Sequence, residues 1–229
     1  MKGYFLSVDI LGFSEIVLNL EREELTVRVE EWISLVKELC RSHQIHRYQL
    51  ISDTLFVGCE SDDHDLVKLV AFSKDLLNSA MALSIPLRGA IAIGEYEWSP
   101  ELVYGPVVIE AYRYESKQNW VGISCVPGFD IPNDMWGELV CYPIPCKSGD
   151  YTMSAAVNWD VPSFENLVKL LSEKGLWKAK NPLSHEWMTR VEKTINYSMY
   201  KSIATKKGES LSRFAGFGPL HILEREIDL

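Results

Sequence analysis

The sequence predicts an α+β protein: a ferredoxin-like or palm-type sheet built in the order β-α-β-β-α-β, with helices on one face and a C-terminal elaboration. Three observations predict it. A short strand-forming run, Tyr4 to Val8, opens the chain and stops at Asp9. Two long stretches carry apolar residues at helical spacing. Between them, two β-rich runs are separated only by Ser52 and Asp53.

The elements follow in order. After Asp9, Gly12 breaks the strand, and Ser14 followed by Glu15 is a candidate helix N-cap. From about Glu23 to His43 the apolar residues Leu25, Val29, Trp32, Ile33, Val36 and Leu39 recur every three or four positions, which predicts a helix. Arg47 to Ile51 and Thr54 to Cys59 read as a hairpin turning at Ser52-Asp53. Asp62 to Leu83 is a second amphipathic helix, and Pro86 to Glu95 a buried strand. Gly105 opens a helix reaching about Lys117, and Trp120 to Val126 is another strand. Beyond it lie a strand pair near Leu139 to Ile144 and Tyr151 to Val157, and helices over Phe164 to Lys174 and His185 to about Thr205. No repeat or linker divides the chain, so residues 1–126 read as the core and 127–229 as an elaboration of the same domain.

Composition narrows the function. Of 229 residues, 47% are hydrophobic, enough for a real core. The net charge of -9 argues against nucleic acid as a partner, because that needs many phosphate-neutralising cations. It leaves room for a nucleotide enzyme, in which metal ions supply positive charge locally. Five cysteines without CxxC spacing predict free thiols. No apolar run approaches the roughly 18 residues that span a bilayer. The early Asp9 does not suit a signal peptide. The expectation is a soluble, cytoplasmic protein with no membrane partner.

The chemistry-bearing pair is Asp9, at a strand end, and Asp53, in the following hairpin turn. In a β-α-β-β arrangement the first strand lies beside that hairpin, so both carboxylates reach one edge of the sheet. Two such oxygen donors suit magnesium whose coordination substrate phosphates complete. The turn Gly12-Phe13-Ser14 offers backbone N–H groups to a triphosphate. Taken singly, a strand-end Asp also serves as a helix cap, and a turn Asp serves for its backbone tolerance.

Four segments, taken together, resemble the class III nucleotidyl cyclases. FLSVDILGFS (residues 5–14) is similar to their Asp-x-x-Gly-Phe-Ser/Thr signature, and ISDTLFVG (51–58) to their Gly-Asp hairpin, with Ser52 in place of the glycine. PLRGAIAIGE (86–95) resembles their Arg-x-Gly-Ile-x-x-Gly strand, and YGPVVIEAYRYE (104–115) their Gly-x-x-Val-Asn-x-Ala-x-Arg-x-Glu helix. All four stand in the family's order. The resemblance implies two Mg2+ or Mn2+ ions per active site, held by Asp9, Asp53 and the Ile10 carbonyl. It implies that Arg113 stabilises charge on the transferring phosphoryl group. It also implies a homodimer whose two active sites are shared between subunits.

Two positions depart from the family. Ile109 replaces the asparagine that orients the ribose. Gln49 stands where a base-reading lysine or glutamate is usual, and its amide suits a pyrimidine edge as well as a purine one. Tyr48 beside it either stacks on a base or packs in the core. With its small size, the chain resembles the pyrimidine cyclases of bacterial antiphage (Pycsar) systems. That implies conversion of UTP, or CTP, to a cyclic monophosphate that activates a separate effector. The alternatives are a purine cyclase making cyclic AMP or cyclic GMP, and an inactive cyclase-like nucleotide sensor. Arg88 either faces the phosphates or pairs with a carboxylate. Lys201, Lys206 and Lys207 form a basic cluster that reads as a solvated helix end. Trp120, Trp136, Trp159, Trp177 and Trp187 read as core or interface residues.

Overall fold

A computed structural model of the chain describes residues 1–128, 130–173 and 185–206. Strand β1 (Lys2–Ile10) is followed by a short helix α1 (Phe13–Asn19) and the long α2 (Arg22–Ser42). The hairpin β2 (Arg47–Ile51) and β3 (Thr54–Gly58) leads to α3 (Asp63–Ala82) and β4 (Leu87–Glu95). A two-stranded ribbon, β5 (Glu97–Trp98) with β6 (Val103–Tyr104), precedes α4 (Pro106–Lys117) and β7 (Gly122–Cys125). Then come β8 (Leu139–Pro145), β9 (Tyr151–Val157), α5 (Phe164–Glu173) and α6 (His185–Lys206).

Seven strands form one sheet in the order β2-β3-β1-β4-β7-β9-β8. Every pairing is antiparallel except β4 with β7, which is parallel and is bridged by α4. β3 and β4 both run antiparallel to β1 and are joined by α3 across the sheet.

Side-chain alternation sorts the helices between the two faces. On β1, Tyr4, Leu6, Val8 and Ile10 enter the main core, which also holds Trp32 and Val36 of α2 and Leu66, Leu69, Leu76 and Leu77 of α3. Each such buried aliphatic side chain contributes about 1.5–3 kcal/mol, so these helices are anchored by their apolar stripes. Phe5, pointing the other way, packs with Ala92, Val107 and Ala111. The expectation of helices on one face of the β-α-β-β-α-β core holds for α2 and α3, while α4, which follows that core, lies on the opposite face. Gly94 allows its approach, since a Cβ there would stand 3.0 Å from Val107 Cβ.

Other expectations are adjusted locally. Ser14 is not the cap of α1. The helix starts at Phe13, two residues earlier than that cap implies, and its N-cap is Gly12 at φ 84. Asp62 caps α3, accepting from the Asp65 N–H at 2.6 Å. Two-residue strands such as β5 and β6 carry no period to read. Trp120, Trp159 and Trp187 are fully buried, Trp120 packing edge-on to Tyr197 with ring centroids 5.1 Å apart. All five cysteines are free and buried. No helix among the described residues is long and apolar enough to cross a membrane. Trp177 and Lys207 lie outside the described residues, as does the Lys206 side chain.

Candidate active site

Asp9 sits near the end of β1 on the face that α4 covers. Asp53 occupies the turn between β2 and β3. Because β3 pairs with β1 up to Val8↔Leu55, that turn emerges next to Asp9. The two carboxyl groups lie within hydrogen-bonding reach of each other. Ser52 makes the turn possible at φ 58, a left-handed conformation that favours glycine.

A buried network of Arg88, Glu115 and Gln118 fixes Asp9. Arg88 is its cross-strand neighbour on β4, and Arg88 Nη2 donates to the Asp9 carboxylate at 3.3 Å. Arg88 Nε donates to Glu115 of α4 at 2.6 Å, and Nη1 to the Gln118 carbonyl at 3.3 Å. The Gln118 side chain is itself buried and fully engaged. Its Nε2 donates to the Gly89 carbonyl at 3.0 Å, and its Oε1 accepts from Trp120 Nε1 at 2.7 Å and Ser124 Oγ at 3.1 Å. The open question about Arg88 is thus resolved in favour of carboxylate pairing.

Three carboxylates, Asp9, Asp53 and Glu115, come close together here, and Arg88 donates to two of them, Asp9 and Glu115. Burial, then the charges of Glu115 and Asp53 and a hydrogen bond to Asp53, push the Asp9 carboxyl up to about 7 against the pull of Arg88. Burial likewise raises Glu115, while Arg88 opposes the rise. Hard oxygen donors held together in this way fit a divalent cation of the magnesium or manganese kind.

The remaining predicted residues fall into distinct places. Ile10 is buried with its side chain in the main core, leaving only its backbone for the site. Phe13 packs partly against that core, Ser14 is exposed, and Gly12 lies under Trp187 of α6. Gln49 pairs with Phe56, and Phe56 with Ser7, on the Asp9 face of the sheet. Tyr48 points the other way, beside Val57, and packs against the main core. Alternation along β2 therefore puts Tyr48 and Gln49 on opposite faces of the sheet.

Arg113 does not join Asp9. On α4 the buried positions are Val107, Ala111, Tyr114 and Glu115, whereas Ile109, Glu110 and Arg113 point outward and line an open groove with Lys117. The Arg113 guanidinium has no hydrogen bond or ion pair among the described residues. Lys201 is turned away from the site and donates to the Trp159 carbonyl at 2.6 Å.

Glu115 and Gln118 are site residues that the sequence reading did not single out, though Glu115 closes the quoted helix motif. A cluster of Asp62, His64 and Asp65, the first two exposed, lies at the start of α3. Asp62 caps that helix and Asp65 pairs with Lys68 at 2.5 Å. It adjoins the far end of β3 from Asp53, so it forms no part of the Asp9 site.

No protein-family model matches the chain, and no curated protein sequence does. Solved structures do resemble it. One is the catalytic core of a rhodopsin-guanylyl cyclase with converted specificity, in complex with ATPalphaS. It is 16% identical, covers 69% of this chain and 95% of its own, and has a TM-score of 0.53. A bacterial light-regulated adenylyl cyclase is 13% identical, covers 76% and 98%, and has a TM-score of 0.55. The guanylate cyclase domain of RhGC from Catenaria anguillulae, in complex with GTP, is 16% identical, covers 69% and 96%, and has a TM-score of 0.50. At these identities the likeness is one of fold. The architecture is the palm-type fold of class III cyclase domains, and about a quarter or more of this chain extends beyond it.

Proposed function

We propose that the chain is a nucleotidyl cyclase that converts a pyrimidine nucleoside triphosphate, UTP in preference to CTP, to its 3′,5′-cyclic monophosphate and pyrophosphate. The observation that carries this reading is the convergence of Asp9 and Asp53 at one sheet edge, with Arg88 and Glu115 fixing Asp9 from behind. The palm-type fold and the order of the four motifs support it.

Asp9, Asp53 and the Ile10 carbonyl would hold two Mg2+ or Mn2+ ions, which lower the pKa of the ribose hydroxyl and offset charge on the phosphates. In the reaction the 3′-hydroxyl gives its proton to water, its oxygen bonds to the α-phosphorus, the bond from that phosphorus to the α–β bridging oxygen breaks in line, and pyrophosphate leaves with the electron pair. The chain contributes positioning and charge more than covalent chemistry. Gly12, Phe13 and Ser14 would contact the triphosphate. Gln49, on the Asp9 face, would read the base, and its amide meets either the donor or the acceptor pattern of a pyrimidine.

Arg113 points away from the Asp9 of its own chain. It serves the reaction when a second copy is docked, and the reading is therefore a homodimer with shared sites. Residues 1–126 form the catalytic core in this reading, and 127–229 elaborate it. The cyclic product would act on a separate effector in antiphage defence, as the Pycsar resemblance suggests. A purine substrate is the second reading, favoured by the adenylyl and guanylyl cyclases among the structural neighbours.

Incubation with equal amounts of the four ribonucleoside triphosphates and Mn2+, read by mass spectrometry, tests the proposal. Cyclic UMP is the expected main product. Cyclic AMP or cyclic GMP alone would establish the purine reading. Absence of any cyclic product and of pyrophosphate would leave a nucleotide-sensing module.

A further inference from the structure

Helix α6 covers the Asp9 end of the sheet and brings cations with it. Trp187 presses on the turn after β1, and a Cβ built on Gly12 would stand 2.9 Å from its indole. Arg190, one turn later, is buried. Its guanidinium lies over the Trp187 ring at 4.5 Å, pairs with Glu186 and donates through Nε to Asn119 Oδ1 at 3.3 Å. Thr194, a further turn on, accepts from the Val121 N–H at 3.0 Å and pins the helix. Asn119 directly follows Gln118, whose carbonyl receives Arg88. A short run of contacts thus ties Arg190 to the Arg88–Asp9 pair.

Lys147 approaches from the turn between β8 and β9. Its N–H donates to the Lys117 carbonyl at 2.8 Å, which holds the turn against the end of α4. Its Nζ has no hydrogen bond or ion pair among the described residues. Arg88, Lys147 and Arg190 lie within Coulombic range of one another and of Asp9. Desolvation and then the two arginines disfavour the charged form of Lys147, against the attraction of Glu115 and Asp9.

Three cations gathered at one point of a chain with net charge -9 call for an explanation. Glu115 and Asp9 engage Arg88 directly. Lys147 feels the same two carboxylates only at Coulombic range and makes no side-chain hydrogen bond or ion pair among the described residues, and the partner of Arg190, Glu186, has a side chain 60% exposed and free to yield. Mutually repelling cations beside a carboxylate pair suit a ligand that is strongly anionic and carries divalent metal.

We propose that Arg190, with Lys147, binds the polyphosphate tail of the nucleotide within the same subunit that supplies Asp9, Arg190 exchanging Glu186 for phosphate oxygens. This assignment rests on the cyclase reading for the identity of the nucleotide, and on the cation cluster alone for the polyphosphate. It gives α6 a direct part in substrate binding.

The test is calorimetric titration of the full chain with magnesium pyrophosphate, beside steady-state cyclisation. Arg190→Gln and Lys147→Gln each weaken pyrophosphate by at least about tenfold, the loss expected for one charge-assisted hydrogen bond. Both raise KM more than they lower kcat. Arg190→Lys recovers part of the affinity, and Glu186→Gln, which releases Arg190, tightens binding. A merely structural Arg190 would lower stability without that gain in Glu186→Gln. Should Arg190→Gln fail to fold, the exposed positions Lys147 and Glu186 decide the matter. Pyrophosphate binding unchanged in those variants, or absent from the wild type, overturns the assignment. Cyclisation with wild-type KM in the variants would overturn it while leaving the cyclase reading intact. Weakened pyrophosphate binding in a chain that makes no cyclic product would uphold it while the cyclase reading fails.

Discussion

Arg88 and Asp9 stand opposite each other on adjacent antiparallel strands, and the guanidinium that reaches Asp9 at 3.3 Å is held from behind by Glu115 at 2.6 Å. Asp9 is thereby presented by a buried network rather than by its own rotamer preference. The contrast with the exposed pair Lys74–Glu138 at 3.0 Å is one of environment, since an exposed pair is worth only about 0–1 kcal/mol.

Removing Arg88 leaves Glu115 buried without its partner. Arg88→Ala is expected to destabilise the fold by about 3–5 kcal/mol, read from urea unfolding. Glu115→Gln, which keeps a hydrogen-bond acceptor, costs less. A loss below about 1 kcal/mol in Arg88→Ala would mean that the network is no stiffer than a surface pair.

Metal and protons compete for Asp9. Its folded-state pKa of about 7 lies above the ordinary 3.8, so the folded chain holds a proton there that the unfolded chain has released. The stability from this proton is fully present below about 4 and is lost as pH rises through about 7. A divalent cation replaces the proton. Mg2+ or Mn2+ is therefore expected to raise Tm more at pH 8 than at pH 6, and much less in Asp9→Asn. Equal increments at both pH values would place the cation elsewhere.

The outward direction of Arg113 makes the sharing of sites testable. Asp53→Asn and Arg113→Ala should each be inactive and folded. Mixing the two variants should restore about a quarter of wild-type activity, because half of randomly paired dimers are mixed and each has one intact site. Restoration is read as cyclic product. Its absence in a mixture shown to exchange subunits would sink the shared-site arrangement.

Ser52 holds a conformation that suits glycine better. Ser52→Gly is expected to stabilise the protein by up to about 1 kcal/mol, offset in part by the freedom glycine adds to the unfolded chain. Activity should persist. Ser52→Val should destabilise, since a β-branched residue fits positive φ poorly. The urea midpoints of the two variants should move in opposite directions.

Much of the framework was legible because it is periodic. Leu25, Val29, Trp32 and Val36 marked α2, Leu66, Leu69, Leu76 and Leu77 marked α3, and Ser52-Asp53 marked a hairpin whose turn adjoins β1. The approach of Asp9 and Asp53 followed from topology. What stayed hidden depended on which way alternate residues face and on distant contacts. That α4 lies opposite α2 and α3 is decided by Phe5 and Ala92, both apolar, as their neighbours are. The difference between Tyr48 and Gln49 is one step of the pleat. The pressure of Trp187 on Gly12 joins residues with no local signal connecting them. The part of Gln118 depends on hydrogen bonds to four separate places, which no spacing encodes.

The interior position of β1 in the sheet has a kinetic side. Its neighbours are Thr54–Gly58 on one edge and Leu87–Glu95 on the other, so the earliest strand to be made waits for partners far along the chain. Closing such long loops is slow compared with forming α2 or α3. During that wait Asp9 belongs to an open edge with no Arg88 opposite it, and the carboxylate pair comes into being only as the sheet closes.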